Sequence, residues 1–238
     1  MSKIFDAYKK RLGDAPDLPQ ELGRTGTISL FPIPADPQRE EFNRLASRLL
    51  GMRLESRGSV ISFASSSRGE GSSYVSYQAA FFLANAYKMK VAWIDGNFLS
   101  PQKQLRNSDS LTLCDLLQDP ERFEDMVTPD ALTLLPGGEN LVGARGLFAD
   151  PRYTEILVAF TRRFDFTIID LPPILNSTDT ALMASETDGL LLVIEQKFLK
   201  WEIIEHGLDG LRNKGVRVLG SVINRRSFEL PKFIYDRV

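Results

Sequence analysis

The sequence predicts a doubly wound α/β fold, in which helices cover both faces of a mostly parallel sheet. From about residue 37 onward, short apolar runs alternate with segments of helical periodicity. The apolar runs are nearly continuous, as in parallel strands that are buried on both faces. A Ser/Gly-rich turn joins the first run to a helix, so that backbone N–H groups converge on one point. A chain of 238 residues is long enough to bury one such core.

The N-terminal part has a different character. Residues 3–12 carry apolar side chains at helical spacing and predict a short amphipathic helix. Residues 13–37 are rich in Pro, Gly and Asp and predict a linker. We therefore divide the chain into an N-terminal helix and linker (1–36) and an α/β domain (37–238).

Each later element follows from its own pattern. Helices are predicted where apolar residues recur at helical spacing, as Phe42, Leu45 and Leu49 do. The predicted helices cover about 37–55, 73–87, 113–118, 150–163, 179–186 and 201–214. Strands are predicted at the apolar runs, which are 60–64, 91–95, 132–135, 166–170, 190–195 and 216–224.

Composition excludes several classes of function. The net charge of −2 argues against nucleic acid or an anionic membrane surface as a principal partner. No apolar run reaches the length of a membrane span, and the first residues lack the pattern of a signal peptide. A single cysteine, Cys114, and a single histidine, His206, leave no internal disulfide and no cysteine-rich metal site. We expect a cytoplasmic protein.

The turn after the first strand has the spacing of a phosphate-binding loop. Its position after the second glycine, where such a loop carries a lysine, holds Ser72. The backbone N–H groups and the following helix N-terminus would still face an anion. The candidate phosphate-binding residues are Gly69, Glu70, Gly71, Ser72, Ser73 and Tyr74.

Two later strands end in an aspartate, Asp95 and Asp170. In a doubly wound sheet the carboxyl ends of the strands border one crevice, so we expect both side chains beside the loop. They are candidate catalytic residues, and together with Ser73 they could hold Mg²⁺. A strand-terminal aspartate may also simply cap a turn. Two of them in this order behind a Gly-x-Gly loop favour a nucleotide site.

Four motifs in order resemble one family, the bacterial tyrosine kinases and capsular-polysaccharide ATPases, which are relatives of the septum-site and partition ATPases. Its Pro-Gly-Glu-Gly-Lys-Ser-Thr loop resembles residues 68–74, and its Asp-x-Asp-x-Arg-x-Pro motif resembles 95–101. Its Tyr-Asp-Tyr-x-Ile-Ile-Asp-x-Pro-Pro motif resembles 164–173, and its Gly-x-Val-x-Asn segment resembles 220–224. The resemblance implies a P-loop NTPase-like fold, with Asn224 at the adenine.

The resemblance also implies a setting. A member of this family would work in extracellular or capsular polysaccharide synthesis, beside a membrane-embedded polysaccharide co-polymerase at the inner membrane. ATP and Mg²⁺ would be its ligands if the site is active, and otherwise no cofactor is expected. Kinases of the family carry a tyrosine-rich tail, whereas this tail offers only Tyr235.

Departures from the family pattern fall on the expected site. Ser72 replaces the loop lysine, Tyr74 replaces a small threonine, and Arg68 replaces a proline. Asn97 replaces the second aspartate of the second motif, and Leu99 replaces its arginine. Losing one charge-assisted phosphate contact of about 1.5–3 kcal/mol predicts roughly 10- to 150-fold weaker ATP binding.

The family's Glu-x-x-Arg-x-x-Arg oligomerisation motif is not intact either, which makes a kinase-type ring doubtful. One register gives Glu40, Asn43 and Ala46, and the other gives Glu41, Arg44 and Ser47. The first 56 residues keep their apolar stripes and are candidates for self-association or docking. The alternative is that these stripes only pack on the chain's own core.

Three functions follow from these observations. The first is a catalytically impaired relative that serves as an accessory or scaffold in polysaccharide synthesis. The second is an active tyrosine kinase or ATPase, which the retained Asp95, Asp170 and Ser73 keep open. The third is a spatial regulator of the septum-site or partition type, and the absence of a basic amphipathic tail helix counts against it.

Overall fold

Six strands form one sheet, and all five pairings in it are parallel. The computed structural model describes residues 30–53, 57–105, 111–126, 131–138, 145–196 and 200–225. The strands are β1 (Ser59–Ser65), β2 (Val91–Asp95), β3 (Leu132–Leu135), β4 (Phe166–Asp170), β5 (Gly189–Glu195) and β6 (Val218–Asn224). Their order across the sheet is β3-β2-β4-β1-β5-β6. The predicted helix over 3–12, Glu55 and the tail with Tyr235 lie outside the described residues.

Helices connect these strands and pack on both faces of the sheet. They are α1 (Gln38–Leu50), α2 (Ser72–Asn85), α3 (Leu113–Gln118), α4 (Pro151–Arg163), α5 (Asp179–Ser185) and α6 (Trp201–Asn213). α1 and α2 share one apolar cluster with the sheet, and α3 to α6 share the other. The predicted α/β fold with helices on both faces is confirmed.

The order of the strands in the sheet determines where the candidate site lies. β1, β2 and β4 are neighbours in the sheet, and Asp95 is the register partner of Asp170. Phe63 of β1 pairs with Asp170 on the other side of β4. The carboxyl ends of the three strands therefore meet at one edge, as the sequence predicts.

The interior next to α2 is rich in aromatic side chains. Trp93 of β2 is fully buried, and its indole N–H donates to Ser76 Oγ over 3.0 Å. Tyr77 of α2 packs edge-on against Trp93, with ring centroids 6.1 Å apart. The second tryptophan, Trp201, begins α6 and is 59% exposed. α2 is thereby fixed to the strand that follows it.

The last residues of the predicted linker pack against α2. Leu30 is buried, and its backbone N–H donates to the Tyr77 hydroxyl over 3.2 Å. The Phe31 ring contacts Tyr74 and Tyr77 edge-on, at 5.6 and 5.5 Å between centroids. Gln78 Nε2 donates to the Pro32 carbonyl over 2.9 Å. We call residues 30–33 the strap, because they cross the N-terminal half of α2.

The burial of residues in α1 distinguishes the two possible registers of the incomplete Glu/Arg motif. Ala46, the last position of one register, is fully buried against α2. Glu41 and Arg44 of the other register are exposed, and they form an ion pair. Arg44 also pairs with Glu40. The register of Glu41 and Arg44 therefore faces outward at both of these positions, where a partner could meet it. The other register is exposed at Glu40 but buried at Ala46.

The sites of the lone cysteine and histidine agree with structural or surface roles. Cys114 is buried in α3 and accepts a hydrogen bond from Gln118. His206 is exposed on α6. Within the described ranges, no helix has both the length and the apolar character needed to cross a bilayer.

Candidate functional site

The loop between β1 and α2 has the backbone of a phosphate-binding loop. Gly69 and Gly71 have φ values of +94° and +88°, which lie in the left-handed region that favours glycine. A Cβ atom at Gly71 would lie 2.3 Å from Asn224 Nδ2. Glycine is therefore required at 71 for its backbone and for the close approach of β6.

Glu70 stabilises this loop from the inside. Its carboxylate is buried and accepts hydrogen bonds from Ser66 Oγ, at 2.7 and 2.6 Å to its two oxygens. The Ser67 backbone N–H donates to Oε2 over 2.7 Å, and the Glu195 N–H donates to Oε1 over 3.3 Å. The Glu70 side chain thus faces the protein, so only its backbone is available to an anion.

The N-terminus of α2 is open. No side chain caps it, and its first turn contains no acidic residue. The first-turn N–H groups of a helix have no partner within the helix and carry partial positive charge. They form the part of the loop to which an anion would bind.

Ser72 and Ser73 both donate their hydroxyl hydrogens to Asp170. The Ser72 Oγ lies 2.9 Å from Asp170 Oδ1, and Ser73 donates to Oδ2. A loop lysine at position 72 would place an ammonium group in this region, whereas Ser72 brings only a neutral donor. The hydroxyl groups hold the carboxyl group in place without neutralising a charge on it.

Asp170 is fully buried at the end of β4. Burial raises the pKa of its carboxyl group to about 7, and the nearby Asp95 carboxylate raises that pKa further. The hydrogen bonds from Ser73, Ser72 and Asn97 act in the opposite direction. A cation beside this group would favour its ionised form.

The Asp95 carboxylate accepts hydrogen bonds from the turn that follows β2. Its Oδ1 accepts the Asn97 backbone N–H over 3.2 Å, and Oδ2 accepts the Gln102 N–H over 2.6 Å. This is the capping role that strand-end aspartates often have. The two predicted carboxylates therefore lie together but make different contacts.

Asn97 is the one partly satisfied polar side chain at this edge. It is 8% exposed and lines the cleft. Its side chain is hydrogen-bonded to Asp170. Its Oδ1 is buried and has no hydrogen-bond partner among the described residues. An acceptor in this position suits a hydrogen-bond donor, such as a water molecule, or a cation.

β6 closes the loop from the other side. Asn224 Nδ2 donates to the Glu70 carbonyl over 2.8 Å, and its Oδ1 accepts the Arg225 N–H over 2.9 Å. The Asn224 side chain, predicted to contact an adenine, is thus bound to the loop backbone. The next residue, Arg225, reaches the Gly69 carbonyl and Glu195 Oε2, both over 3.0 Å.

Loop residues on either side of Glu70, together with Asn97 and Arg225, border a cleft of ≈ 300 Å³. Asp95, Asp170 and Asn224 lie behind this lining. Tyr74 and Phe31 line it together, and Phe42 packs behind Tyr74 with ring centroids 5.6 Å apart. Arg68 and Leu99 also line the cleft, and Arg68 is exposed. Among the described residues that line this cleft there is no lysine, and its positive charge comes from Arg68 and Arg225.

The arrangement fits a magnesium-bound phosphate group. Ser73 Oγ and Asn97 Oδ1 offer oxygen atoms at the cleft, and Mg²⁺ prefers oxygen ligands. The Asp170 carboxyl group lies directly behind Ser73, which donates to it. The described residues contain no cluster of three acidic, His or Cys side chains, so phosphates and water would complete the coordination. When bound, the metal would neutralise charge on the phosphate oxygens.

The structure brings the predicted residues to one place, with additions. The loop, Asp95, Asp170 and Asn224 all meet at the carboxyl edge of the sheet. Sequence reasoning missed Phe31 and Arg225 as lining residues. Arg225 could have been found, because it directly follows a predicted strand. Nothing in the sequence indicated Phe31, which sits in a Pro/Gly-rich segment.

No family model matches the chain. The chain is 26% identical over 202 residues to EpsB of Ralstonia nicotianae, a match to 81% of this chain and 26% of EpsB. It is 29% identical over 94 residues to CpsD of Streptococcus agalactiae, covering 40% and 41% of the two chains. CapB of Staphylococcus aureus is 24% identical over 204 residues, covering 82% and 88%. All three are named as tyrosine-protein kinases, and the chain spans about a quarter of EpsB.

Solved structures share the fold. The kinase domain of Escherichia coli ETK matches with a TM-score of 0.69 at 18% identity, covering 87% of this chain and 85% of that one. The chimerical protein CapA2B2 matches with a TM-score of 0.71 at 20% identity, covering 94% and 99%. The septum-site-determining protein MinD of Pyrococcus horikoshii, complexed with Mg-ADP, gives 0.58 at 21% identity and 76% coverage of each chain. The chain is therefore a homologue of the bacterial tyrosine kinases and has the P-loop NTPase-like fold of their kinase domains.

Proposed function

We propose that this protein is an accessory or scaffold of extracellular polysaccharide synthesis, a tyrosine-kinase relative that binds nucleotide weakly and transfers no phosphoryl group. One observation carries the proposal. At the position of the loop lysine, the Ser72 hydroxyl donates to Asp170, and no lysine lines the cleft among the described residues. Phosphoryl transfer depends on positioned cations around the developing charge, and a neutral hydroxyl supplies none.

A second feature supports the loss of transfer chemistry. Asp95 is engaged by two backbone N–H groups of its turn, and Asn97 stands where the family has another acid. Asp170 remains as the carboxyl group that contacts the loop serines. A site with no lysine and with Asn97 in place of an acid is poorly suited to catalysis.

The polysaccharide setting comes from the relatives. EpsB, CpsD and CapB carry tyrosine-kinase names, and CapA2B2 is a chimerical protein of the same fold. By this likeness, the partner of our chain would be a membrane-embedded polysaccharide co-polymerase, which would hold it at the inner membrane. The outward-facing Glu41 and Arg44 of α1 are where such a contact could form.

Mixing the purified protein with Mg-ATP tests the catalytic part of the proposal. We expect calorimetry to give binding roughly 10- to 150-fold weaker than a lysine-containing loop would give, and no steady release of phosphate. Ser72→Lys should recover affinity by a similar factor, because its ammonium group would lie beside Asp170 and the bound phosphates. Ser185→Lys adds the same charge at the exposed last residue of α5 and should leave ATP affinity unchanged. Micromolar ATP affinity with steady turnover in the wild type would contradict the proposal.

The scaffold role needs a test in cells. Deletion of residues 1–29 removes the N-terminal region but keeps Leu30 and Phe31, which pack on α2. We expect this deletion to lower polysaccharide output, while Asp170→Asn leaves output normal. The opposite pattern, normal output from the deletion and none from Asp170→Asn, would show that the site is active and that the scaffold idea is wrong.

An active kinase or ATPase is the second candidate, and specific residues favour it. Ser73 and Asp170 are in contact at the loop, and Arg68 and Arg225 line the same cleft. Turnover that is lost on Asp170→Asn would support this alternative.

A further inference from the structure

Arg225 has an unusual backbone and an exposed side chain that contacts the loop. Its φ of +49° lies in the left-handed region, which non-glycine residues seldom adopt. Its Nη1 donates to the Gly69 carbonyl and to Glu195 Oε2, both over 3.0 Å. The guanidinium group is thereby held against the phosphate-type loop, at the end of β6.

The rest of the guanidinium group remains for a ligand. An arginine has five N–H donors in a planar fork, which suits two oxygens of one phosphate group. Both contacts above are made by Nη1, and Arg225 lines the cleft together with Gly71 and Ser73. An anion at the open N-terminus of α2 would therefore meet a positioned positive charge from β6.

A second observation points to a ligand in the same cleft. Asn97 Oδ1 is buried and has no hydrogen-bond partner among the residues that the structure describes. A carbonyl oxygen does not bind a phosphate oxygen, because both are acceptors. It does accept a hydrogen bond from water around Mg²⁺, which keeps several waters when it binds with phosphates. The donors on one side and this acceptor on the other suit a hydrated metal–phosphate complex.

We propose that Arg225 supplies the phosphate-binding charge that the loop lacks at Ser72 when a magnesium-bound diphosphate group occupies the cleft. Free pyrophosphate and a nucleotide both present this group, and the chemistry of recognition is the same. The inference deepens the proposed function and rests on it, since it describes binding without transfer at that site. Gly69 links the two halves, because its carbonyl holds the arginine and its left-handed backbone shapes the loop.

The test is calorimetry on the full chain with Mg²⁺ and three probes: pyrophosphate, ADP and AMP. Pyrophosphate and ADP should bind, and AMP, which has no diphosphate, should bind at least tenfold more weakly. Comparable affinities for pyrophosphate and ADP indicate that the diphosphate alone is read, whereas tighter ADP binding assigns a nucleotide. Absence of both pyrophosphate and ADP binding would overturn the proposal.

Arg225→Gln should weaken pyrophosphate binding by about 10- to 150-fold, the value of one charge-assisted contact. Arg212→Gln is the matched control, because Arg212 is exposed and pairs only with Asp209 among the described residues. Equal affinities of these two variants would refute a role for Arg225. If Arg225→Gln loses its native circular dichroism, Arg225→Lys replaces it. That variant keeps the charge without the fork and should bind about tenfold more weakly than the wild type, and unchanged affinity would refute the role.

The same samples separate this inference from the proposed function. Phosphate release from ATP is measured beside each titration. Steady turnover in the wild type would contradict the non-catalytic function and leave the Arg225 result standing. An Arg225→Gln variant that binds like the wild type would contradict the inference and leave the non-catalytic function standing.

Discussion

The Asp170 carboxyl group lies in surroundings that disfavour its ionised form. It is fully buried, two serine hydroxyls donate to it, and Asp95 is its register partner on the next strand. Transferring a charged carboxylate into such a place is costly, and this cost raises its pKa to about 7. The ionisation of Asp170 therefore makes the stability of this fold depend on pH.

Replacing Asp170 with Asn should make stability less dependent on pH. The folded-state pKa of about 7 lies above the ordinary aspartate pKa of 3.8, so the folded state holds this proton more tightly. The contribution of Asp170 to stability is then greatest below about pH 4 and is lost as the pH rises through about 7. Without added Mg²⁺, Asp170→Asn should gain stability relative to the wild type at about pH 8 compared with about pH 5. Urea unfolding at both pH values measures the difference.

Asp209→Asn is the control for that experiment, because Asp209 is exposed on α6. Its stability relative to the wild type should differ little between the two pH values. A pH-independent difference for Asp170→Asn would mean that the carboxyl group is ionised throughout and that the hydroxyl groups outweigh its burial.

How far the sequence predicted the site depends on the kind of residue. Asp95 and Asp170 follow apolar runs, so the rule for strand ends placed them correctly beside the loop. Hydrogen-bond partners were beyond prediction, because Glu70 turns inward and Asn224 turns to the loop only when β1, β5 and β6 lie side by side.

Among the elements, the strap over α2 has the clearest consequence. Phe31 lies edge-on to Tyr74 and Tyr77 and also lines the cleft. Tyr74 is the second residue after the missing lysine, and its ring packs between Phe31 and Phe42. The large residue at position 74 is thus explained by contacts with the strap and α1.

Phe31→Ala should lower the free energy of unfolding by about 2–4 kcal/mol, because it removes apolar burial and two edge-to-face aromatic contacts. Ile33→Ala, in the same strap, is the control. Ile33 is 42% exposed, so its truncation should change stability by about 0.5 kcal/mol or less. Denaturant titration of both variants measures the effect. Equal changes would indicate that the strap contributes little to the fold.

Element type was predictable where a pattern was long and continuous. β2, β3, β4 and α3 have the predicted bounds, and α4 begins one residue after its predicted start because Asp150 caps it. Three short 3₁₀ helices were not predicted: Lys103–Leu105, Pro120–Asp125 and Arg145–Ala149. They are too short to show periodicity and depend on tertiary packing. The burial of Leu30 was missed for the same reason.

For the molecule as a whole, the loop joins distant parts of the chain. Glu70 bonds to β5, Asn224 of β6 bonds to the Glu70 carbonyl, and the serines bond to β4. These contacts cross more than 90 positions in sequence. A change in the loop therefore affects the sheet from β4 to β6.

Gly71→Ala and Gly69→Ala form a matched pair that measures this coupling. Both glycines have left-handed φ values, so each substitution should cost about 1–2 kcal/mol in backbone strain. Only at Gly71 does the added methyl group meet Asn224, at 2.3 Å, whereas nothing lies within 4 Å of it at Gly69. Gly71→Ala should consequently be the more destabilising in thermal unfolding, and faster amide exchange should appear in β6. Equal losses would show that β6 moves aside at little cost.

Because the two tryptophans differ in burial, the intrinsic fluorescence of the protein can report on ligand binding. Trp93 is fully buried and bonds to Ser76 of α2, whereas Trp201 is 59% exposed. Their fluorescence should separate into a blue, protected component and a red component that iodide quenches. Trp201→Phe would leave Trp93 as the single emitter, held to the helix that the loop begins. Its emission would then register ligand arrival at the loop without any attached dye.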